Sequence, residues 1–254
     1  MAENSLSRPP RVLVLDLAAY RDASEEDEIL LGKEEREHVR SRRIRDGDEV
    51  VLIDGKGLRV RSKLTRNGTA VIPSPSFKES SSSSSVSLPL PGEPTNRVTV
   101  LLACAEPARI EWAIEKGTEC GAAGFVLLDA ERSQRAHVAA LAKRIPRLVR
   151  IAEEATKQCD RTLVPFVEGP KSIEEFLGKG RGDEALFVAD PSGVPIASVA
   201  PGAMTLAIGP EGGFSPSEIS LFKANRSFFV SLGPRILRLE TAVVVALARL
   251  VDPA

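Results

Sequence analysis

The stretch that most restricts the fold of this chain is residues 208–218, IGPEGGFSPSE, where glycine and proline separate a strand pattern from a helix start. Residues 204–209 form a short apolar run bounded by Gly and Pro, which predicts a buried strand. Ser215 suits an N-cap, Pro216 the first helical position, and Glu218 the third position, where its carboxylate completes a capping box. The glycines between them permit positive φ and a close approach of the backbone to a ligand.

A second stretch, residues 232–241 (LGPRILRLET), repeats this design about two dozen positions later. It also follows an apolar run with Gly-Pro and leads through charged residues into a helix start. Two such loops can wall one pocket. Neither stretch matches the G-x-G-x-x-G fingerprint or the G-x-x-x-x-G-K-[ST] phosphate loop, which disfavours a dinucleotide or nucleoside triphosphate site. We call residues 209–214 the first Gly-Pro loop and residues 232–241 the second Gly-Pro loop.

From residue 97 onward, apolar strand patterns alternate with helical patterns. Strands are predicted at 98–105, 125–129, 164–167, 186–190, 204–209 and 228–233, and helices at 108–120, 133–144, 146–159, 172–177, from 215 and at 239–250. This alternation predicts an α/β domain with a mainly parallel sheet covered on both faces. Ligands of such sheets bind outside the carboxyl ends of the strands, so Asp190, Gly209 and Gly233 mark three candidate strand ends. Trp112, the single tryptophan, is expected in the core.

The N-terminal part has a different pattern. Short strand patterns separated by tight turns, such as GDEVVLIDGKG at 47–57, predict a small β-rich domain. Residues 76–96 are rich in Ser and Pro and include an unbroken serine run at 80–85, a composition that cannot bury a core. The predicted organisation is therefore a domain at 1–75, a linker at 76–96 and a second domain at 97–254.

The charge of the chain is locally uneven although its net charge is only −1. Residues 36–66 contain ten Lys or Arg against five Asp or Glu. This basic patch is either a nucleic-acid footprint or an ordinary solvated surface, and charge alone does not separate the two. The three cysteines are widely spaced without a C-x-x-C, which indicates buried thiols in a reducing compartment rather than a disulfide framework or a zinc site. No apolar run reaches membrane-spanning length, and the N-terminal residues contain no apolar signal core.

Further segments accompany the two Gly-Pro loops in a specific order: RPPRVLV at 8–14, GDEVVLIDGKG at 47–57, IEKGTECG at 114–121, ERSQ at 131–134 and IAEEATKQCDR at 151–161, followed by Pro165. Together they resemble the RsmE-type ribosomal RNA uridine-N3 methyltransferases of the SPOUT superfamily. Cys120, Lys157 and Leu239 stand where that family usually has a leucine, a glutamate and a small or polar residue. The resemblance covers nearly the whole chain except the serine-rich linker.

This resemblance implies a SPOUT-type knotted parallel-sheet domain preceded by a small N-terminal β-barrel (PUA-like) domain that binds RNA. The two Gly-Pro loops would be the crossings of a trefoil knot and would hold S-adenosylmethionine. The implied function is a methyltransferase, active as a homodimer, that methylates N3 of a uridine in small-subunit (16S-type) ribosomal RNA. The alternative is a non-catalytic RNA-binding or ribosome-assembly factor on the same scaffold. The expected location is the cytoplasm, or an organelle with bacterial-type ribosomes, and neither a metal nor a membrane partner is expected.

The resemblance also implies site residues. The cofactor-binding residues are Ile208, Gly209, Pro210, Glu211, Gly212, Gly213, Leu232, Gly233, Ile236, Leu237, Leu239 and Thr241. The catalytic candidates are Arg238, Glu211 and Glu240, and the RNA-binding candidates are Arg8, Arg11, Arg42, Arg43 and Arg235. Uridine N3–H is a weak acid, so the reaction calls for a base or for a group that stabilises the imidate, roles that suit carboxylates and guanidiniums.

Structural roles for the same side chains stay open. Glu240 falls in the first turn of a helix, where it favourably meets the helix dipole. Glu211 can cap a turn, and Arg238 can form an ion pair between domains.

Overall fold

The computed structural model of the chain describes residues 9–14, 27–73, 93–178, 184–196 and 202–251. The chain divides into two compact units, one formed by residues 1–92 with 156–163 and the other by residues 93–155 with 164–254. The serine run and most of the predicted linker lie outside the described residues, as does Arg8.

In its described residues, the N-terminal unit is built around a five-stranded sheet with one helix. Its elements are β1 (Arg11–Leu13), β2 (Ile29–Leu30), α1 (Lys33–Ser41), β3 (Glu49–Ile53), β4 (Arg59–Thr65) and β5 (Ala70–Pro73). The strand order is β1-β3-β4-β5-β2, with β1 parallel to β3 and the other pairs antiparallel. Its core contains Val12, Ile29, Val39, Leu52 and Leu64. The antiparallel pairing of β3 with β4 and of β4 with β5 fits the short connections between these three strands, whereas α1 lies in the longer connection between the parallel strands β1 and β3.

The second unit alternates strands and helices. Its elements are β6 (Arg97–Ala103), α2 (Pro107–Glu119), β7 (Gly124–Leu128), α3 (Arg135–Ala142), α4 (Ile145–Gln158, whose last three residues group with the N-terminal unit), β8 (Phe166–Lys171), α5 (Ile173–Gly178), β9 (Ala185–Pro195), β10 (Ala203–Ile208), α6 (Pro216–Ala224), β11 (Phe228–Ser231) and α7 (Leu239–Leu250). All neighbouring strands of its six-stranded sheet are parallel, which confirms the predicted α/β class.

The strand order of this sheet, β11-β9-β10-β6-β7-β8, contains a switch point between β6 and β10. The chain first builds β7 and β8 on one side of β6, and it later places β10 directly against the other side of β6. Met204 of β10 pairs with Val98 of β6, and Ile208 pairs with Leu102. The connections leave a switch point in opposite directions, which opens a crevice at the carboxyl ends of the strands.

Hydrophobic cores lie on both faces of this sheet, as the strand patterns predict. Along β6, Val98, Val100 and Leu102 belong to one buried cluster, whereas Leu101 and Ala103 belong to the other. The first cluster includes residues of α2 and α7, and the second includes residues of α5 and α6. This alternation follows from the two-residue period of a strand.

Two sequence predictions are wrong. Trp112 is 42% exposed rather than core, because α2 turns Ile110, Ala113 and Ile114 toward the sheet and Trp112 falls on the other face. The strand predicted to end at Asp190 continues to Pro195, because its second half pairs with β11 beyond a register shift. None of the described helices is long and apolar enough to cross a membrane.

Candidate functional site

A cavity of about 450 Å³ lies where β9, β10 and β11 meet the two Gly-Pro loops. Its lining residues are 109, 189–191, 208–214, 232–233, 235–239 and 242. The volume falls within the range of cavities that hold drug-sized ligands, roughly 300–1,000 Å³. The sequence predicts that the two loops wall one pocket, and both loops line this cavity. We call it the two-loop cavity.

The first Gly-Pro loop is a tight turn held against a helix cap. The Gly213 N–H donates to Pro210 O at 2.8 Å, and Gly213 has φ +69°, in the left-handed region that favours glycine. The predicted capping box is confirmed: Ser215 Oγ accepts from Glu218 N at 3.2 Å, and Glu218 Oε2 accepts from Ser215 N at 2.7 Å. The start of α6 therefore fixes the end of the loop.

Residues after β7 hold this loop from the side. Arg132 Nη1 donates to Gly212 O at 2.6 Å, and Ser217 Oγ donates to Glu131 Oε2 at 3.0 Å. Hydrogen bonds from Ser215 and Ser217 lower the pKa of Glu131 below its ordinary value. The segment 131–134, singled out by the resemblance, thus acts on the first Gly-Pro loop.

The second Gly-Pro loop turns at Gly233, which has φ +131°. It presents Ile236 with 92% of its surface exposed, although Ile236 lines the two-loop cavity. Arg238 is the N-cap residue of α7 and is also exposed. Neither Arg235 nor Arg238 forms an ion pair or a side-chain hydrogen bond with any residue that the structure describes. An apolar side chain and two unengaged guanidiniums therefore border the cavity.

The carboxylates that line the cavity are both engaged. Glu211 Oε1 accepts from Arg109 Nη1 at 3.0 Å. Asp190 Oδ1 accepts from the Ser192 N–H at 2.7 Å and from the Ser192 hydroxyl at 2.6 Å, which is an Asx-type turn. The sequence marked Asp190 as a strand-end candidate, and it lies in the cavity wall with a turn role.

Most of the predicted cofactor-binding and catalytic residues line the two-loop cavity. The exceptions are Thr241, exposed on α7, and Glu240, in the first turn of α7. The Oε2 atom of Glu240 is buried without a hydrogen-bond partner in the described structure. Its place in the first turn is favourable for a carboxylate in any case.

The predicted RNA-binding residues fall in different surroundings. Arg235 lines the two-loop cavity, and Arg42 and Arg43 are exposed after α1, where Arg43 has φ +55°. Arg11 is only 6% exposed, and its Nε donates to Asp160 Oδ1 at 2.8 Å. Burial and this ion pair give Arg11 a structural role within the N-terminal unit.

A second cavity, of about 250 Å³, lies within the N-terminal unit. Its lining residues are Pro9, Pro10, Arg11, His38, Arg42, Lys157, Gln158, Cys159 and Asp160. Arg11, Arg42 and Lys157 face one carboxylate, that of Asp160, so the lining carries an excess of positive charge. We call it the basic cavity. It joins the start of the chain to a segment about 150 residues later, a link that local sequence patterns do not reveal.

The predicted site residues do not include Arg109, Arg132 or Phe214, although Arg132 belongs to the segment 131–134 and Phe214 to the first Gly-Pro loop, both of which the sequence singles out. Phe214 is buried, and its ring packs edge-on against that of Phe222 with 4.9 Å between the ring centroids. The Phe214 ring also packs directly against Gly209. Arg109 follows the carboxyl end of β6, and the rule that ligands bind at strand ends would have found it if β6 had been counted with the other strands. Within the described residues, no group of three His, Cys, Asp or Glu side chains is placed to hold a metal ion.

Both the sequence and the fold of this chain are similar to those of known proteins. The sequence matches the RNA methyltransferase domain family over residues 92–251. It is 34% identical over 218 residues to the ribosomal RNA small subunit methyltransferase E of Synechocystis sp., covering 82% of this chain and 67% of the relative. It is 31% identical over 215 residues to the protein of that name from Mycobacterium bovis, covering 81% of this chain and 79% of the relative.

The fold is similar to the crystal structure of a ribosomal RNA small subunit methyltransferase E from Neisseria gonorrhoeae bound to S-adenosyl methionine. The TM-score is 0.79 at 23% identity, and the match covers 94% of this chain and 95% of the other. The family match over more than half of the chain and the relatives above 30% identity agree with the motifs. The chain therefore belongs to the RNA methyltransferase domain family and, within it, to the RsmE-type ribosomal RNA methyltransferases.

Proposed function

We propose that this chain is an S-adenosylmethionine-dependent methyltransferase that methylates N3 of a uridine in small-subunit, 16S-type ribosomal RNA. The observation that carries the proposal is the two-loop cavity, which both Gly-Pro loops line. The names of the relatives from Synechocystis sp. and Mycobacterium bovis support the ribosomal RNA substrate. The uridine and its N3 position come from the resemblance of the motifs.

The two-loop cavity fits such a cofactor. Apart from the glycine and its two chain neighbours, no described residue has an atom within 4 Å of the place where a Cβ would stand at Gly213 or Gly233, so both glycines leave space beside their backbones. Ile236 is 92% exposed in the cavity, and a flat ring that covers it would bury apolar surface. Ile208, Leu232 and Leu237 add further apolar contact, and backbone groups of the first Gly-Pro loop can hydrogen-bond to the edge of an adenine.

When bound, the cofactor supplies an electrophilic methyl group on a positively charged sulfur. The residues of the chain then have to hold the uridine and to favour loss of its N3 proton. Arg238 is exposed beside the cavity and has no ion-pair partner among the described residues, so its guanidinium is available to stabilise an oxygen of the uridine imidate. Arg235 is available in the same way for a phosphate.

Glu211 and Glu240 are proposed as the carboxylates of the site, and their positions differ. Glu211 lines the cavity, but its Oε1 already accepts from Arg109. Glu240 has a buried oxygen without a hydrogen-bond partner, yet it does not line the cavity in the described structure. Stabilisation of the imidate by Arg238 is therefore the main catalytic contribution that we assign to the chain, with solvent water accepting the N3 proton.

The N-terminal unit is proposed to bind the RNA backbone. Arg42 is exposed and lines the basic cavity with Lys157, and Arg43 is exposed beside it in sequence. Lys and Arg side chains attract the phosphate backbone without reading its sequence. Arg11, being buried against Asp160, would support this surface rather than contact the RNA directly. Arg8 belongs to the same proposal from the sequence alone.

Finer features of the fold belong to this proposal as well. They are a trefoil knot formed by the two Gly-Pro loops, a PUA-like barrel in the N-terminal unit, the domain limits 1–75, 76–96 and 97–254, and a homodimer. A small-subunit ribosomal RNA substrate would place the protein with bacterial-type ribosomes, in the cytoplasm or in an organelle.

Calorimetry tests the enzyme against the alternative of a non-catalytic RNA-binding or ribosome-assembly factor. The purified chain is titrated with S-adenosylmethionine, and separately with a ribosomal RNA fragment. We expect saturable binding of S-adenosylmethionine with one site per chain. Binding of RNA without any binding of S-adenosylmethionine would contradict the enzyme and favour the assembly factor.

A further inference from the structure

One ion pair stands in the wall of the two-loop cavity. Arg109 Nη1 donates to Glu211 Oε1 at 3.0 Å, and both residues line the cavity. We propose that this pair binds the amino-acid group of S-adenosylmethionine, with the guanidinium facing its carboxylate and Glu211 facing its ammonium. The inference rests on the proposed function and assigns a further part of the same site.

The pair is formed by two distant parts of the second unit. Arg109 lies in the first turn of α2, after the carboxyl end of β6, and Glu211 lies in the first Gly-Pro loop after β10. Because β6 and β10 are neighbours on either side of the switch point, their carboxyl ends bring the two side chains together. A guanidinium and a carboxylate are thereby held side by side at the crevice where such sheets bind ligands.

The charges of this pair complement a zwitterion. An amino-acid group carries one carboxylate and one ammonium a few bonds apart, so it matches an adjacent cation and anion. The planar fork of arginine suits a carboxylate in two-point contact. Among the described residues that line the cavity, Arg109 and Glu211 form the only ion pair.

The other charged groups of the cavity suit this role less well. The Asp190 carboxylate accepts two hydrogen bonds from Ser192, which use one of its oxygens within its own turn. Arg235 and Arg238 have no carboxylate partner in the described structure and suit the polyanionic RNA.

The ion pair can open to admit a ligand at small cost. The Arg109 side chain is 30% exposed and that of Glu211 is 59% exposed, and exposed ion pairs add little to stability. Glu106 Oε2 lies 3.5 Å from Arg109 Nε and gives the guanidinium a second carboxylate, from the N-cap residue of α2. Arg109 is therefore held near the cavity even when Glu211 turns to another partner.

Calorimetry with two nucleosides whose thioether sulfur is uncharged isolates the contribution of the amino-acid group to binding. S-Adenosylhomocysteine carries that group, whereas 5′-methylthioadenosine has the same adenosine and sulfur without it. We expect Arg109→Ala to lower the affinity for S-adenosylhomocysteine by about tenfold or more, because one charge-assisted contact is lost. The affinity for 5′-methylthioadenosine should not change. Glu211→Gln should also lower the affinity for S-adenosylhomocysteine and leave that for 5′-methylthioadenosine unchanged. Arg147→Ala is the matched control and should change neither affinity. Arg147 is an exposed arginine of α4 that forms an ion pair with Glu111 of α2.

The outcomes separate this inference from the proposed function. If Arg109→Ala lowered the affinity for both nucleosides equally at unchanged Tm, the inference would be overturned, because Arg109 would then only shape the loop. Unchanged affinity for both nucleosides would overturn the inference as well. If the unmodified chain bound neither nucleoside nor S-adenosylmethionine, the proposed function itself would fail. An analogue of S-adenosylhomocysteine that lacks only the carboxylate should be insensitive to Arg109→Ala, which tests the assigned orientation.

Discussion

Glu218 Oε1 accepts a hydrogen bond from the backbone N–H of Glu131 at 2.8 Å, while its Oε2 accepts from Ser215 N at 2.7 Å. One buried carboxylate thus completes the cap of α6 and ties that cap to the segment that follows β7. Because the first Gly-Pro loop ends at this cap, Glu218 positions the wall of the two-loop cavity without lining it.

Glu218→Ala should therefore cost stability. The change breaks the capping box and removes the acceptor of two backbone N–H groups, those of Glu131 and Ser215, so we expect a loss of about 1–3 kcal/mol in the free energy of unfolding. Denaturant unfolding measures this loss. Glu174→Ala, at an exposed first-turn glutamate of α5, is the control and should stay within about 0.5 kcal/mol. A loss at Glu218 no larger than at Glu174 would contradict the tie between the two segments.

Gly213→Val should abolish cofactor binding. The new side chain would enter space that the backbone leaves open in the two-loop cavity, and the φ of +69° adds strain. Gly47→Val is the matched control, because Gly47 also has positive φ and open space but lies in the N-terminal unit. Calorimetry with S-adenosylmethionine should detect no binding by the first variant and normal binding by the second. Equal affinity in both variants would refute the role of Gly213.

Arg238→Ala should reduce methyl transfer far more than stability. Arg238 is exposed and unpaired in the described structure, so its loss removes no internal contact of the fold. We expect kcat to fall by about a hundredfold, the effect of losing one oxyanion-type donor. Arg249→Ala, at an exposed arginine in the last turn of α7, provides the comparison for stability and activity. Full activity of Arg238→Ala at an unchanged Tm would reject the proposed role.

Charge reversal of Arg42 and Arg43 should weaken RNA binding and reduce its dependence on salt. If both side chains contact phosphates, the slope of log K against log salt should become shallower by about 1.4 for single-stranded RNA. Filter binding across a salt series measures the slope. Reversal of Lys143 and Lys223, which are exposed in the other unit, gives the control. The same slope in both double variants would make the basic patch an ordinary surface.

Cys104 should stay protonated in the folded protein up to strongly alkaline pH. Burial, with the nearby charge of Asp129, raises the pKa of this thiol from 9.0 to about 12. The unfolded chain loses this proton near pH 9, so stability should fall as the pH rises between 9 and 12. Alkylation at pH 8 followed by peptide mass spectrometry should label the half-buried Cys159 well before Cys104. Labelling of Cys104 as fast as Cys159 would contradict its burial.

Local patterns account for much of this structure. The capping box at Ser215 and Glu218 follows from spacing alone, as does the turn at Gly213, because each depends on neighbouring residues. The α/β class follows from the alternation of apolar runs with helical patterns. The error at Trp112 came from counting a large apolar residue as core without placing it on the helix, although the period of α2 already puts it opposite Ile110.

Contacts between distant segments could not be predicted in the same way. The pair of Arg109 with Glu211 depends on β10 lying beside β6, and the pair of Arg11 with Asp160 depends on a late segment that groups with the N-terminal unit. Strand order and the return of the chain are set by the packing of the whole fold. A single sequence without an alignment carries no signal for either.

The most direct test of the account is methyl transfer by the purified protein. Small ribosomal subunits from cells that lack this chain are incubated with the protein and with S-adenosylmethionine carrying an isotope-labelled methyl group. Their ribosomal RNA is then digested to nucleosides and analysed by mass spectrometry. We predict labelled N3-methyluridine, strongly reduced with Arg238→Ala. Label on a ribose or another base, or no labelled nucleoside at all, would contradict the proposed function.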